Sequence, residues 1–448
     1  VKKIRTDSIK FNVIGAGLAG CEAAAYIAKK GFSVTLYEMK PAEYTCAHKS
    51  EYFSELICSN SLKSKSLNSA SGLLKQEMSM LDSLVMSTAY RNEIPAGTAL
   101  AVDREGFAKD ITEYICNNAN INIINKKIND IGGFIENTND FTIIASGPLM
   151  TDELALSIKD VVSDDGLFFY DAIAPTILYE DIDFSNAYKA SRYNINDESY
   201  INCPLTKDEY NIFYDFIVNA KTVQMKNFEE QKVFEGCMPF EVLAKRGYDS
   251  LRYGPMKPVG LTNPHTKTKD YAVIQLRQDN AAASIYNLVG FQTNLTFGMQ
   301  DELLKLIPAL RKCRIIRYGV MHRNTYLNAP AVLNKYYQMQ NYKNLFFAGQ
   351  ITGVEGYLPS ASSGIVAAIN CVREAEKLQK IDFTANTVIG ALQNHIATIP
   401  TKSYLPMTAN YGILSALEKH IKNKSEKYNE YAKRSFQTMT QIISLYGI

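Results

Sequence analysis

Two cysteines stand where a thiol could do chemistry. Cys58 lies in FSELICSNSLKS (residues 53–64), followed by Ser59, Asn60 and Ser61, with Lys63 close behind. A polar turn near a cation favours the thiolate, the nucleophilic form of the side chain. Cys237 lies in VFEGCMPFEVLAKRG, after Gly236 and just before Pro239, in what reads as a loop or helix start. Such residues can add sulfur to an electron-poor carbon, provided a base is at hand to move the proton. Cys21, Cys116, Cys313 and Cys371 read instead as small buried hydrophobes, and Cys46 and Cys203 lean the same way. The five histidines are isolated, and only His322, in YGVMHRNTY, has polar neighbours that invite attention. Neither C-x-x-C nor H-E-x-x-H occurs, so no zinc site is expected.

The elements that must position these thiols begin with FNVIGAGLAGCEAAAYIAKKGFSVTLYE, which starts at Phe11. FNVI reads as a buried strand, CEAAAYIAKK as a helix closed by Gly31, and FSVTLYE as a second strand. Between strand and helix stands Gly15-Ala16-Gly17-Leu-Ala-Gly20. Gly15 permits the tight turn, Gly17 lets the backbone approach a pyrophosphate, and Gly20 lets helix and strand pack closely. The helix N-terminus offers unpaired N–H groups to the phosphates. Glu38, 18 residues after Gly20, is placed to bond ribose hydroxyls. Two further pieces complete the pattern. FTIIASGP (residues 141–148) runs from a strand into a turn of small residues. NLFFAGQITGVEGYLPSASSGIVAAIN (residues 344–370) runs from a strand into a helix expected near Ser360, bringing Gly349, Gln350, Gly356, Tyr357 and Gly364 to the same nucleotide. This three-part pattern resembles glutathione-reductase-type flavoproteins. It implies an α/β, Rossmann-type, FAD-binding domain, with NAD alone as the alternative.

The three pieces bracket the chain, so the nucleotide-binding domain is expected to be discontinuous, residues 10–165 plus 340–390. An inserted α+β domain would occupy 166–339, with YAVIQLR (271–277) and IIRYGVM (315–321) as strands. A helical C-terminal segment would occupy 391–448. The net charge of +2 over 448 residues demands no polyanionic partner. Its distribution is uneven, because residues 303–354 hold no Asp or Glu. They carry Lys305, Arg311, Lys312, Arg314, Arg317, Arg323, Lys335 and Lys343, interleaved with Tyr318, Tyr326, Tyr336, Tyr337 and Tyr342. Cations among aromatics suit phosphate contact and base stacking, although a solvated face with some core tyrosines has the same composition. VKKIRTDSIKF holds no apolar signal core, and no apolar run reaches the ~20 residues of a membrane span, so a cytoplasmic protein is expected.

Longer strings narrow the reading. VIGAGLAG, ELICSNSL, PAGTALAVDR, SRYN, NCPLT, FEGCMP, YGPMKPVGL, QLRQDN, NLVGFQT, RYGVMHRNTY, AGQITGVEGY and PMTANYGIL together resemble the folate- and FAD-dependent tRNA (uracil-5-)-methyltransferase family, TrmFO. The resemblance implies that methylenetetrahydrofolate supplies one carbon and that FAD, reduced by NADH or NADPH, supplies the reducing equivalents. The product would be 5-methyluridine in the T-loop of tRNA. It also implies that Cys58 and Cys237 are the two functional thiols; one would attack while the other takes the proton or protects the one-carbon unit. The resemblance does not assign these roles, and Cys58 is our choice of nucleophile. Lys257, Arg277, Asn280, His322 and Arg323 become candidates for folate or RNA contact. Two strings depart from the family pattern. GFQTHLKWGEQ is here GFQTNLTFGMQ, which places Asn294, Thr296, Phe297 and Met299, and GYVESAASG is here GYLPSASSG, which places Pro359. The same chemistry on 23S rRNA is therefore an alternative. A small-molecule NAD(P)H–flavin oxidoreductase and a non-catalytic RNA-binding protein that keeps FAD are the readings from other classes.

Overall fold

The computed structural model describes residues 9–448 except 46, 138, 163–166, 173, 193, 195–196, 224–237, 281, 320, 398–403 and 405, and gives the backbone alone at 167–172 and 321–324. Five strands form one parallel sheet in the order Leu345–Phe347, Asp140–Ile144, Lys10–Ile14, Val34–Glu38, Ile121–Asn125. Residues 11–14, 142–144 and 345–347 are buried on both sides, as the middle of a parallel sheet covered by helices requires, while Ile121–Asn125 at the edge is largely half-buried or exposed. The helix Leu18–Lys29 returns between the first two strands and packs against the long helix Tyr357–Ala375. Their approach is close enough that a Cβ at Gly364 would stand 2.2 Å from the Ala19 carbonyl oxygen. This is the Rossmann-type architecture, assembled from segments more than 300 residues apart.

A second sheet of six strands is antiparallel throughout, in the order Tyr188–Lys189, Tyr200–Leu205, Ala272–Gln278, Ile285–Leu288, Thr176–Leu178, Ile315–Arg317. Alternation along its strands gives it two unlike faces. Ile201, Cys203, Leu205, Ala272, Ile274, Leu276, Tyr286 and Leu288 share one apolar core with the helices Lys207–Asn219 and Phe240–Lys245. Asn202, Gln275, Arg277 and Asn287 fall on the opposite, polar face. The chain passes between the two units along Leu167–Ala172 and Met321–Tyr326, which pair antiparallel with each other. A small antiparallel sheet, Ser61–Ser64, Ala99–Val102 and Glu93–Ile94, lies beside the Cys58 segment.

Several local expectations change. The run at 315–321 is not one strand. It ends at Arg317, and the Gln300 side chain takes both backbone groups of Gly319, which a strand partner would otherwise take. The late helix begins at Tyr357 rather than Ser360, with Pro359 in its first turn, where the missing N–H has no partner to lose. In the tail, the helix Val388–His395 ends early and the long helix begins only at Lys424, running to Tyr446, where Asn423 caps it by accepting from Ser425 N and Glu426 N. Residues 326–339 and the tail also enlarge the first core. Tyr326, Leu333, Tyr337, Tyr431 and Met439 all pack into it. Among the described residues no helix is long and apolar enough to cross a membrane.

Candidate active site

One cleft opens at the carboxyl ends of all five parallel strands, lined by Gly15, Glu38, Lys126, Ala145 and Gly349, each at or just past the end of one of them. Its floor is built from backbone. Gly15 has φ +101°, and a Cβ there would stand 2.5 Å from Ala145 O. A Cβ at Gly20 would stand 1.8 Å from Gly15 O, so helix and strand touch without side chains between them. Gly17 meets nothing within 4 Å on its Cβ side, and as the helix N-cap it offers no side chain to the free N–H groups behind it. Those donors face the cleft, where a pyrophosphate fits them. The Glu38 carboxylate is fixed by Ala16 N at 2.8 Å and Lys40 N at 3.0 Å. Each oxygen keeps a lone pair for a ribose hydroxyl.

The far segment closes the other side. Gly349, Gln350, Tyr357 and Ser360 line the cleft, and Gly356, at φ +102°, caps the long helix without a side chain. Gly20, Gly356 and Gly364 do not line it; Gly20 and Gly364 act by letting neighbouring elements approach. A cradle of two helix N-termini, an acid at the second strand end and a wide opening toward Tyr357 fits a flavin dinucleotide.

Cys58 lines the same cleft, half-buried against Ile57, Ala47 and Leu149. Its segment is held from three directions. The Tyr357 hydroxyl accepts from Cys58 N at 2.8 Å and Ser59 N at 3.2 Å. Arg277, on the polar face of the second sheet, donates to Ser59 Oγ at 2.6 Å and Asn60 Oδ1 at 3.2 Å. Asn60 is fully buried and donates to Val102 O and Gln278 O, so it joins the two units. Arg104 reaches the carbonyls of Leu56 and Ile57. Burial pushes the Arg277 guanidinium below its ordinary pKa. Burial acts on Arg104 in the same sense, but the Asp279 carboxylate, with Tyr357 and Cys58 behind it, carries its pKa above the ordinary value. Tyr357 is pushed up by burial first and by the Cys58 charge second, so its hydroxyl is neutral at physiological pH. Arg317 lies in the same charged neighbourhood and is pushed down by burial and by Arg104.

The remaining expected site residues fall elsewhere. Asn280 closes the turn between two strands of the second sheet. Its Oδ1 accepts from Ser284 N and Ile285 N, and its amide donates to Ser284 Oγ. Lys257 does not line the cleft, and its carbonyl accepts from Arg192. His322 and Arg323 lie on the strand Met321–Tyr326, opposite Asp171 and Tyr170, with their side chains outside the described residues. Cys237 and Cys46 also lie outside the described residues. The four departures at 294–299 and Pro359 do not line the cleft. Asn294 is buried on Glu241, and Phe297 stacks on Tyr318 with ring centroids 4.5 Å apart. The acid-free stretch is not acid-free in space. Arg314 pairs with Asp181, Lys335 with Asp382 and Lys305 with Glu302, while Tyr326 and Tyr337 are core residues. Among the other thiols, Cys21, Cys203 and Cys371 are buried and pushed up in pKa by burial. Cys313 is only half-buried, and Cys116, expected to be buried, is exposed at the last position of the helix Arg104–Cys116. Arg104, Asn60, Asp279 and Asn287 were not singled out by sequence reasoning. They sit in PAGTALAVDR, ELICSNSL, QLRQDN and the strand after it, with no spacing signal to join them.

Comparison with known proteins agrees with this geometry. The family model described as Glucose inhibited division protein A matches residues 10–379. A protein of Staphylococcus epidermidis named Methylenetetrahydrofolate--tRNA-(uracil-5-)-methyltransferase TrmFO is 48% identical over 429 residues, covering 96% of this chain and 97% of its own. The protein of the same name from Bacillus subtilis is 48% identical over 431 residues, covering 96% and 98%. Among solved structures, Aquifex aeolicus GidA in its form I crystal superposes with a TM-score of 0.66 at 16% identity, over 97% of this chain and 76% of that one. At that identity it is the fold that is shared.

Proposed function

The chain belongs to the TrmFO family, within the wider family of Glucose inhibited division protein A, and from that premise we propose that it methylates C5 of a uridine in tRNA, using methylenetetrahydrofolate, FAD and NADH or NADPH. The observation that carries the reading is that Cys58 opens onto the cleft that the glycine cradle, Glu38 and the Tyr357 helix shape for a flavin. Bound reduced flavin would supply the reducing equivalents that turn a methylene into a methyl group.

Uracil C5 is too poor a nucleophile to take a one-carbon unit unaided. The Cys58 thiolate adds to C6, and the C5–C6 electron pair moves toward O4 as an enolate, which makes C5 nucleophilic. Once C5 carries the carbon, a base removes the C5 proton and the electron pair left behind expels the nitrogen that carried the one-carbon unit, leaving an exocyclic methylene. A hydride equivalent added to that carbon would give the methyl group and regenerate the enolate, which then expels the Cys58 sulfur and restores the C5–C6 double bond. Cys237 is our candidate for that base or for guarding the one-carbon unit beforehand. The cradle orients the flavin through backbone donors, and the apolar walls at Ile57 and Leu149 exclude water beside the sulfur.

The test is incubation of purified protein with NADPH, methylenetetrahydrofolate and undermodified tRNA, followed by nucleoside analysis. We expect 5-methyluridine from the native chain and none from Cys58→Ala, which should keep its yellow colour. Product with 23S rRNA and none with tRNA would replace the target. NAD(P)H oxidation driven by a metabolite and indifferent to RNA would replace the reading.

A further inference from the structure

Two of the recognised strings, PAGTALAVDR and QLRQDN, contain residues that do not line the nucleotide cleft, and both reach the Cys58 segment from outside it. Arg104 is the first residue of the helix Arg104–Cys116. One end of its guanidinium, Nη1, donates to Leu56 O and, at 3.0 Å, to Ile57 O. The other end, Nη2, donates to Asp279 Oδ1 at 2.7 Å, across 175 residues of sequence. Asp279 follows the strand Ala272–Gln278, and its Oδ1 also accepts from Asn287 Nδ2 at 3.1 Å. The side chains of the pair are 15% and 9% exposed. One planar cation therefore joins the two carbonyls immediately before the thiol to a carboxylate of the second unit.

We infer that Arg104 and Asp279 are positioning residues for Cys58, and that through them the place of the sulfur depends on the second unit. This rests on the reading of Cys58 as the reactive thiol. A buried charge pair is a weak source of net stability, since desolvation offsets most of the attraction. Geometry is what this pair supplies. Peptide groups 56 and 57 cannot rotate without leaving guanidinium N–H groups unpaired, and the backbone they fix leads directly into Cys58. Lysine cannot replace the arginine, because a point charge on a flexible stem cannot bond a pair of carbonyls on one side and a carboxylate on the other. Asp279 keeps the fork aimed. A ligand that shifted the second sheet would shift the carboxylate, then the guanidinium, then the thiol. The Arg277 grip on Ser59 and Asn60 ties the residues after Cys58 to the same sheet face, so both flanks of the thiol answer to one unit.

The experiment uses the full-length, flavin-loaded chain with Arg104→Lys, Asp279→Asn and the double variant. The rate of Cys58 alkylation by iodoacetamide is followed by peptide mass, with exposed Cys116 as the internal standard, alongside flavin absorbance and steady-state kinetics. We expect flavin to be retained and the Cys58-to-Cys116 alkylation ratio to change severalfold. A roughly 10–100-fold loss of kcat should follow, the scale of misplacing a reacting group by about an ångström, with little change in KM for RNA or folate. The double variant should be no worse than the poorer single one, because both act through one link. An unchanged alkylation ratio in variants that keep their flavin, or losses that simply add, would overturn the inference. Should either charge variant lose its flavin, Asn287→Ala, which leaves the ion pair intact and removes the amide on Asp279 together with its bonds to Arg277 and Asn60, must still move the ratio in the same direction. The ratio needs no turnover, so a native enzyme that alkylates as expected but makes no methylated RNA would overturn the proposed function alone.

Discussion

The nucleotide cradle and the Cys58 segment share a cleft and are built in opposite ways. The cradle is backbone against backbone. Gly15, Gly17 and Gly20 act through the absence of a Cβ, and their partners lie nearby in sequence or on the next strand. The thiol segment is side chain against backbone. Arg104, Arg277 and Tyr357, drawn from three distant regions, hold five consecutive residues, 56–60, by hydrogen bonds. The contrast fits the two proposed tasks. A dinucleotide needs rigid, uncharged donors that tolerate any redox state of the ring. A nucleophile must be held within a fraction of an ångström, and a side-chain network can also release or shift it.

The comparison predicts where the molecule breaks. The largest effect belongs to the cradle. Gly20→Val places a Cβ where Gly15 O already stands, so the helix must move off the sheet. We expect a loss of about 3 kcal/mol or more, the upper range for overpacking, together with loss of bound flavin, read from the urea midpoint and the visible spectrum. A stable, yellow Gly20→Val protein would refute the backbone-built cradle.

The thiol segment should fail differently. Arg277→Gln removes charge-assisted bonds to Ser59 and Asn60 and leaves the cradle untouched. It should cost about 2 kcal/mol, the range for hydrogen bonds to charged groups, with flavin content unchanged. Activity should fall through kcat. A rise in KM for methylenetetrahydrofolate at constant kcat would instead make Arg277 a folate contact and dissolve its part in the contrast.

The smallest effect lies behind the cradle and is a pH dependence. Glu22, in the fingerprint helix, accepts from Leu84 N, Val85 N and the Ser83 hydroxyl, capping the helix Leu84–Arg91. Burial pushes its carboxyl up from 4.5 to about 7, against the downward pull of those hydrogen bonds. Glu77, which caps the helix Val388–His395, is pushed up to about 7 for the same reason. A folded-state value above the unfolded one means the native chain holds its proton longer. The associated stability is complete below about 4.5 and is lost as pH rises through about 7. The urea midpoint should therefore fall between about pH 5 and about pH 8, and Glu22→Gln should flatten that fall while sparing flavin binding. An equal fall in the variant would assign the dependence to other groups.

The sequence by itself determined the first half of the cradle, residues 11–38, because what that half needs is local. A tight turn, a close helix and an acid at the next strand end are dictated by residue type and spacing within some 30 positions. The second sheet was legible only as a few apolar runs. Its break at Gly319 depends on Gln300, which no periodicity reveals. The acid-free stretch misled as a single face because electrostatics is decided in space, and Asp181, Glu302 and Asp382 arrive from outside it. Only the tertiary structure decided what holds Cys58. The Arg104–Asp279 and Arg277–Ser59 links span 175 and 218 residues, and a hydrogen bond records no sequence separation. A glycine carries its backbone constraint in its own chemistry. An arginine carries only a charge and a reach, and which carbonyl it fixes depends on how two separately built cores come to rest against each other.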